Sequence, residues 1–128
     1  MRLLLDTHAL IWWLAGDGQL STRARRAIED ESNEIFVSAA SAWEVSTKHR
    51  LGTLPGAGPL AVDFAREVRA QGFTPLPISL AHGQVAGGLV TDYRDPFDRM
   101  LAAQAREEKL ALVSIEERFE QLGVVRVW

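Results

Sequence analysis

The chain contains no cysteine among its 128 residues, so disulfides, thiolate zinc sites and cysteine nucleophiles are all excluded. No apolar run approaches the roughly 20 residues of a membrane span, and the Met1–Asp6 opening is too short for a signal-peptide core. A cytoplasmic protein with no membrane partner is therefore expected. A basic surplus is missing too: 14 Lys and Arg face 17 Asp and Glu, a formal charge of −3 with three His neutral. Taken alone, that balance argues against a nucleic-acid partner, because phosphate binding usually leaves a basic footprint. Internal repeats, low-complexity tracts and linkers are absent, and the Gly/Pro-rich stretch Gly52–Pro59 is short enough for a loop. What remains is ordinary. Hydrophobic residues make up 47% and charged residues 24%, which suits a globular protein and neither a disordered nor a fibrous one. At about 150 residues per domain, a single domain over 1–128 is expected.

Arg2–Leu5 is a short apolar run ending at Asp6, as a buried strand would. Ala9–Ala15 suits a short helix, and Ser21–Asp30 a second one with Ser21 as N-cap. Glu34–Val37 reads as a strand, and Ala39–Arg50 as a helix stopping near Gly52. Leu60–Gln71 reads as one longer helix, and Thr74–Ile78 as a proline-broken edge strand. Ser79–Leu89 is a glycine-weakened helix. Pro96–Glu108 is the clearest helix, with Phe97, Met100, Leu101 and Ala105 on one expected buried face. Leu110–Ser114 and Val124–Val127 complete the strands, with a short helix between them. Strands alternating with helices imply parallel pairing and right-handed crossovers, hence a three-layer α/β/α sandwich around a parallel sheet.

Ligands of such sheets bind at the carboxyl ends of the strands. Asp6 closes the first strand, Glu44 lies early in the helix after the second, Asp95 and Asp98 open another helix, and Glu116 and Glu117 follow a strand. Crowded carboxylates repel unless cations neutralise them. Hard divalent ions take oxygen ligands and cleave phosphodiesters, so an acidic cluster suits hydrolysis of a polyanion. Each acid also has a structural role open to it. Asp95 before Pro96 is a helix-start signal, which places Asp98 at N3, where it complements the helix dipole. Ser41–Glu44 and Ser114–Glu117 have capping-box spacing, and capping is the expected role of Glu117. A helix starting at Ser38 would instead leave Glu44 well inside it. Asp6 has the weakest structural alternative, a turn cap. Thr7 either orients Asp6 or caps a helix. His8, His49 and His82 lack ligand spacing, the four Trp suit core or interface, and Arg23, Arg25 and Arg26 form a small basic run. No P-loop, GxGxxG or GxSxG element is present.

LLLDTHALIWWL (3–14), SAWEV (41–45), DPFDRMLAAQA (95–105) and LVSIEERF (112–119), in this order, resemble the PIN-domain ribonucleases, and among them the VapC-type toxins of bacterial toxin–antitoxin pairs. The likeness runs from Arg2 to the final VRVW. It implies a PIN-like sandwich with an acidic pocket for Mg²⁺, or Mn²⁺ in its place. Asp6 matches the family's first acid, Glu44 the second and Asp98 the third, since the D-x-x-L-A-A pattern begins at Asp98. Glu116 falls where the family commonly has a fourth acid, usually Asp, and Ser114 matches a hydroxyl residue at that strand end. The Glu at 116 is a departure that bears on a second ion more than on activity. Asp92–Tyr93 also departs from a histidine-containing loop common in relatives. The resemblance further implies an endoribonuclease leaving 5′-phosphate and 3′-hydroxyl ends, a homodimer, and neutralisation by a VapB-type antitoxin.

The alternative is a non-catalytic PIN-like module that binds RNA or protein. A phosphoryl-transfer domain with Asp6 as nucleophile fails on missing partners: His8 stands where a second Asp is needed, and no acid occurs between Glu44 and Asp63. Setting Asp6, Glu44, Asp98 and Glu116 aside as metal ligands turns the formal charge of −3 into +1 for the remainder. The acidic total is then no argument against an RNA substrate, because bound cations invert the local charge.

Overall fold

Successive side chains of a strand point to opposite faces of its sheet, so three consecutive leucines need cover on both sides. In the computed structural model, which describes residues Met1–Trp128, Leu3, Leu4 and Leu5 are each fully buried. They form β1 (Arg2–Leu5), the middle of a sheet completed by β2 (Glu34–Ser38), β3 (Thr74–Leu76), β4 (Ala111–Val113) and β5 (Arg126–Val127). The order is β3-β2-β1-β4-β5, and every pairing is parallel. Leu3 and Leu5 share one core with Ile35, Val37, Ala111 and Val113. Leu4 joins Phe36 and Leu112 in the other.

The Leu3 side is covered by α1 (Thr7–Ala15), α2 (Thr22–Glu29), α3 (Ala39–Arg50), α4 (Gly58–Val62) and α5 (Phe64–Ala70), through Leu10, Ile28, Val45, Leu60 and Val68. The Leu4 side is covered by α7 (Pro96–Glu107) and a 3-10 helix at Glu117–Leu122, through Leu101, Ala105, Phe119 and Leu122. On this side α6 (Leu80–Gly88) packs against α7. This is the expected three-layer α/β/α sandwich. The strand order reverses between β1 and β4, and such a switch point opens a crevice at the carboxyl ends. There the Asp6 N–H donates to the Val113 carbonyl at 3.1 Å, so the ladder runs one residue past the end of β1.

Some boundaries differ from expectation, each for a local reason. The Leu60–Gln71 segment is two helices, because Asp63 leaves helical geometry (φ −152°, ψ 87°) and caps α5 by accepting from the Arg66 N–H at 3.1 Å. Helix α1 begins at Thr7 because Asp6 caps it. The last two strands are shorter than expected, and the connection between them is 3-10 rather than α. On α7, Leu101 and Ala105 are buried as expected, together with Ala102, Ala103 and Gln104. Phe97 and Met100 instead line a surface groove of about 210 Å³ with Ala40, Trp43, Ile78 and Ala86. No helix is long and apolar enough to cross a membrane.

Gln104 is fully buried, and a buried amide needs partners. The Ser38 hydroxyl donates to its Oε1, and its Nε2 donates to the Pro77 carbonyl at 3.3 Å. Beside it the buried His82 accepts the Ser79 N–H at Nδ1 (3.0 Å), so its Nε2 carries the hydrogen that meets Glu108 at 2.8 Å. This network ties the start of α3 to α6 and α7. Gln104→Leu keeps the volume but strands the Ser38 hydroxyl. Urea unfolding should show a loss of about 1–3 kcal/mol, and an unchanged midpoint would mean that the network contributes nothing.

Candidate active site

The carboxyl ends of the sheet gather three acids from three elements. Asp6 follows β1 directly. As the N-cap of α1 it accepts from the Ala9 N–H at 2.8 Å, and the Ser114 hydroxyl hydrogen-bonds to the same carboxylate. Burial pushes its carboxyl up to about 6 against the lowering effect of those two donors and of nearby His8, while the Glu44 charge pushes it further. Ser114, fully buried just past β4, also accepts the Glu116 N–H at 3.0 Å.

Glu44 lies in the second turn of α3, whose N-cap is Ser38. Ser41 therefore caps nothing. The Thr7 hydroxyl lies 2.5 Å from Glu44 Oε1 and 3.0 Å from Ser41 Oγ. An ionised carboxylate only accepts, so Thr7 donates to Glu44 and receives the Ser41 hydrogen. Thr7 thus orients Glu44 rather than Asp6. The other oxygen, Oε2, is held by the ammonium of Lys48, one turn along the same helix.

Asp98 occupies N3 of α7, behind the N-cap Asp95, whose Oδ1 accepts from the N–H groups of Phe97 (2.9 Å) and Asp98 (3.3 Å). The Tyr93 hydroxyl donates to Asp98 Oδ2. Burial raises the Asp98 carboxyl to about 6; the Tyr93 hydrogen bond opposes this, and the charges of Asp95, Glu44 and Asp6 add to it. Burial and the Asp98 carboxylate together raise the Tyr93 phenol. The Arg118 guanidinium lies 3.7 Å from the centre of the Tyr93 ring.

Glu116 is the more exposed acid. Its side chain is 49% exposed and lies 3.8 Å from Arg118, and its charge acts on Tyr93, the hydroxyl partner of Asp98. Asp6, Glu44 and Asp98 are brought together, with Glu116 at the rim. The capping role expected of Glu117 is not found: the 3-10 helix begins there without a side-chain cap, because the Ser114 hydroxyl is engaged with Glu116 and Asp6 instead.

Three desolvated carboxylates form a hard oxygen donor set of the kind Mg²⁺ and Mn²⁺ take. As the side chains stand, no group of three or more acidic or histidine residues is positioned to hold a metal ion, and Lys48 and Tyr93 hold one oxygen each of Glu44 and Asp98. By the chemistry of its donors the set fits a divalent cation, in competition with those two side chains. Lys48 and Tyr93 escape a search for acids, although the four-residue spacing Glu44–Lys48 is itself a helical ion-pair signal.

The PIN domain family model matches residues 3–125. The chain is 34% identical over 120 residues to Ribonuclease VapC22 of Mycobacterium tuberculosis, covering 91% of this chain and 88% of that protein. It is 42% identical over 69 residues to Ribonuclease VapC16 of the same organism, covering 54% of this chain but 48% of that protein's length. Its fold is similar to VapBC2 from Rickettsia felis bound to a DNA fragment from their promoter, with a TM-score of 0.68 at 15% identity, covering 98% of this chain and 97% of that one.

The raised Asp6 carboxyl has a consequence for stability. From an ordinary value of 3.8 to about 6 in the fold, the neutral acid favours folding at low pH, and that contribution is lost as pH rises through the folded value. Asn keeps the cap without the charge. In chelator, Asp6→Asn should therefore gain on the order of 1–3 kcal/mol at pH 7.5, shrinking to nothing near pH 4. Denaturant titrations at both pH values check this, and an equal loss at each would contradict it.

Proposed function

This chain belongs to the PIN domain family, and from that premise we propose that it is a divalent-metal-dependent endoribonuclease, the VapC-type toxin of a toxin–antitoxin pair. The observation that carries the reading is the convergence of Asp6, Glu44 and Asp98 at the switch point, two of them with carboxyls raised to about 6. Raised values of this kind mark groups placed for chemistry rather than for stability. The ribonuclease names of the two mycobacterial relatives support the substrate class. The structural likeness to VapBC2 supports a VapB-type antitoxin as partner. A homodimer acting in the cytoplasm, built from one domain over 1–128, completes the proposal.

Asp6, Glu44 and Asp98 would hold Mg²⁺, with Mn²⁺ able to replace it. Bound there, a hard divalent ion supplies the Lewis acidity that phosphodiester hydrolysis needs. The chain's own part is preorganisation. Ser114 and the Ala9 N–H fix Asp6, Thr7 backed by Ser41 fixes Glu44, and Tyr93 fixes Asp98. Charges fixed before substrate arrives need little rearrangement at the reacting phosphate. Glu116, out at the rim beside Arg118, acts on entering substrate or water rather than inside the buried trio. The second reading, a non-catalytic module, draws on the occupied oxygens of Glu44 and Asp98, and Mn²⁺ titration separates the two.

The test is cleavage of total RNA with Mg²⁺. Asp6→Asn and Asp98→Asn should each slow cleavage by more than roughly 10³-fold, about 4 kcal/mol of barrier, while Glu116→Gln stays within about tenfold. Unchanged cleavage by Asp6→Asn would sink the assignment. Failure of the wild type to bind Mn²⁺ or cut RNA would favour the binding module.

A further inference from the structure

Lys48 is the cation that pairs directly with a buried acid of the site. Its ammonium pairs with Glu44 Oε2, lies 5.7 Å from the centre of the Phe97 ring, and feels the charges of Asp95 and Asp98. It therefore stands between the carboxylates of α3 and those of α7. Exposed ion pairs one turn apart on a helix contribute little, but the Glu44 side chain is only 5% exposed. This lysine neutralises a buried charge.

The surrounding charges act on the same group: Asp95 on both Asp98 and Lys48, and His8 on Asp6, while Glu116 faces Arg118. Glu44 has Thr7 on Oε1 and Lys48 on Oε2, Tyr93 holds Asp98 Oδ2, and the Ala9 N–H holds Asp6 Oδ1. An ammonium has three donors. Lys48 spends one on Glu44, and its side chain is 30% exposed, so the others are open to an entering anion.

We propose that Lys48 works beside the bound divalent ion by donating to a non-bridging oxygen of the scissile phosphate. The proposal rests on the ribonuclease reading above. It makes Lys48 a catalytic residue that weakens ion binding while it helps the reaction. A merely structural lysine would not give that combination.

The experiment is Mn²⁺ calorimetry on the full chain, alongside RNA cleavage, for wild type, Lys48→Met and Lys48→Arg, with circular dichroism confirming each fold. Lys48→Met should bind Mn²⁺ at least roughly tenfold tighter, since a unit charge a few ångströms away is removed, yet cleave about 10²-fold slower. Lys48→Arg should keep the wild-type Mn²⁺ affinity, which preserves a reading if the Met variant unfolds. Weaker Mn²⁺ binding by Lys48→Met, or its cleavage at the wild-type rate, would each overturn the proposal. A wild type that binds Mn²⁺ but cuts no RNA would instead defeat the ribonuclease reading, with the calorimetric arm still reporting on Lys48.

Discussion

A carboxylate taken out of water costs free energy unless hydrogen bonds or an opposite charge replace its hydration. This chain withdraws Asp6 and Glu44 from water and largely withdraws Asp98, and the surrounding polar architecture answers that cost. Ser114 and the Ala9 N–H serve Asp6, Thr7 and Lys48 serve Glu44, and Tyr93 serves Asp98. The compensation is incomplete for Asp6 and Asp98, whose carboxyls stay raised. Incomplete compensation at one crevice, in a chain with no buried side-chain polar atom left unpartnered, marks where the fold is built to receive positive charge.

The sheet makes this possible. Leucines pinned on both faces of β1 leave the Asp6 backbone no freedom of register, and its N–H is tied to Val113, the last paired residue of β4. Ser114 follows Val113 directly, so the same ladder that sets Asp6 sets its hydroxyl partner. Glu44 and Asp98 are placed by helix starts: Ser38 caps α3 and is tied through Gln104 to α7, while Asp95 caps α7. Backbone periodicity thus does most of the aiming, and the side-chain bonds make the final adjustment.

The sandwich, the parallel sheet and the three central acids were legible because strong periodicities and strand ends carry them. Arg2–Leu5 and Ala39–Arg50 have the expected bounds. The readings left open or missed were decided by tertiary partners. Whether Ser38 or Ser41 caps α3 turns on where β2 delivers the chain. Thr7 turns toward Glu44 because α3 crosses beside α1. Phe97 and Met100 satisfy a helical spacing, yet the neighbouring elements leave a groove at their end of α7. Lys48 and Tyr93 were invisible as site residues because composition flags the acids and not what neutralises them. The exposure of Glu116 goes with its place at the start of the 3-10 helix after β4, which a preference for helix does not specify.

Lys48 and Tyr93 are tethered to the chain, so their effective concentration at Glu44 and Asp98 is set by the fold. That of a dissolved ion follows its surroundings. The carboxylates therefore have resident partners from the moment the crevice closes, and the chain can fold before any ion arrives. Ion occupancy is a separate equilibrium superimposed on a folded protein, stabilising it in proportion to the logarithm of free ion over its dissociation constant. Folding thus does not wait on the ion, although occupancy adds to stability, and the free ion concentration sets how many folded molecules carry a charged site.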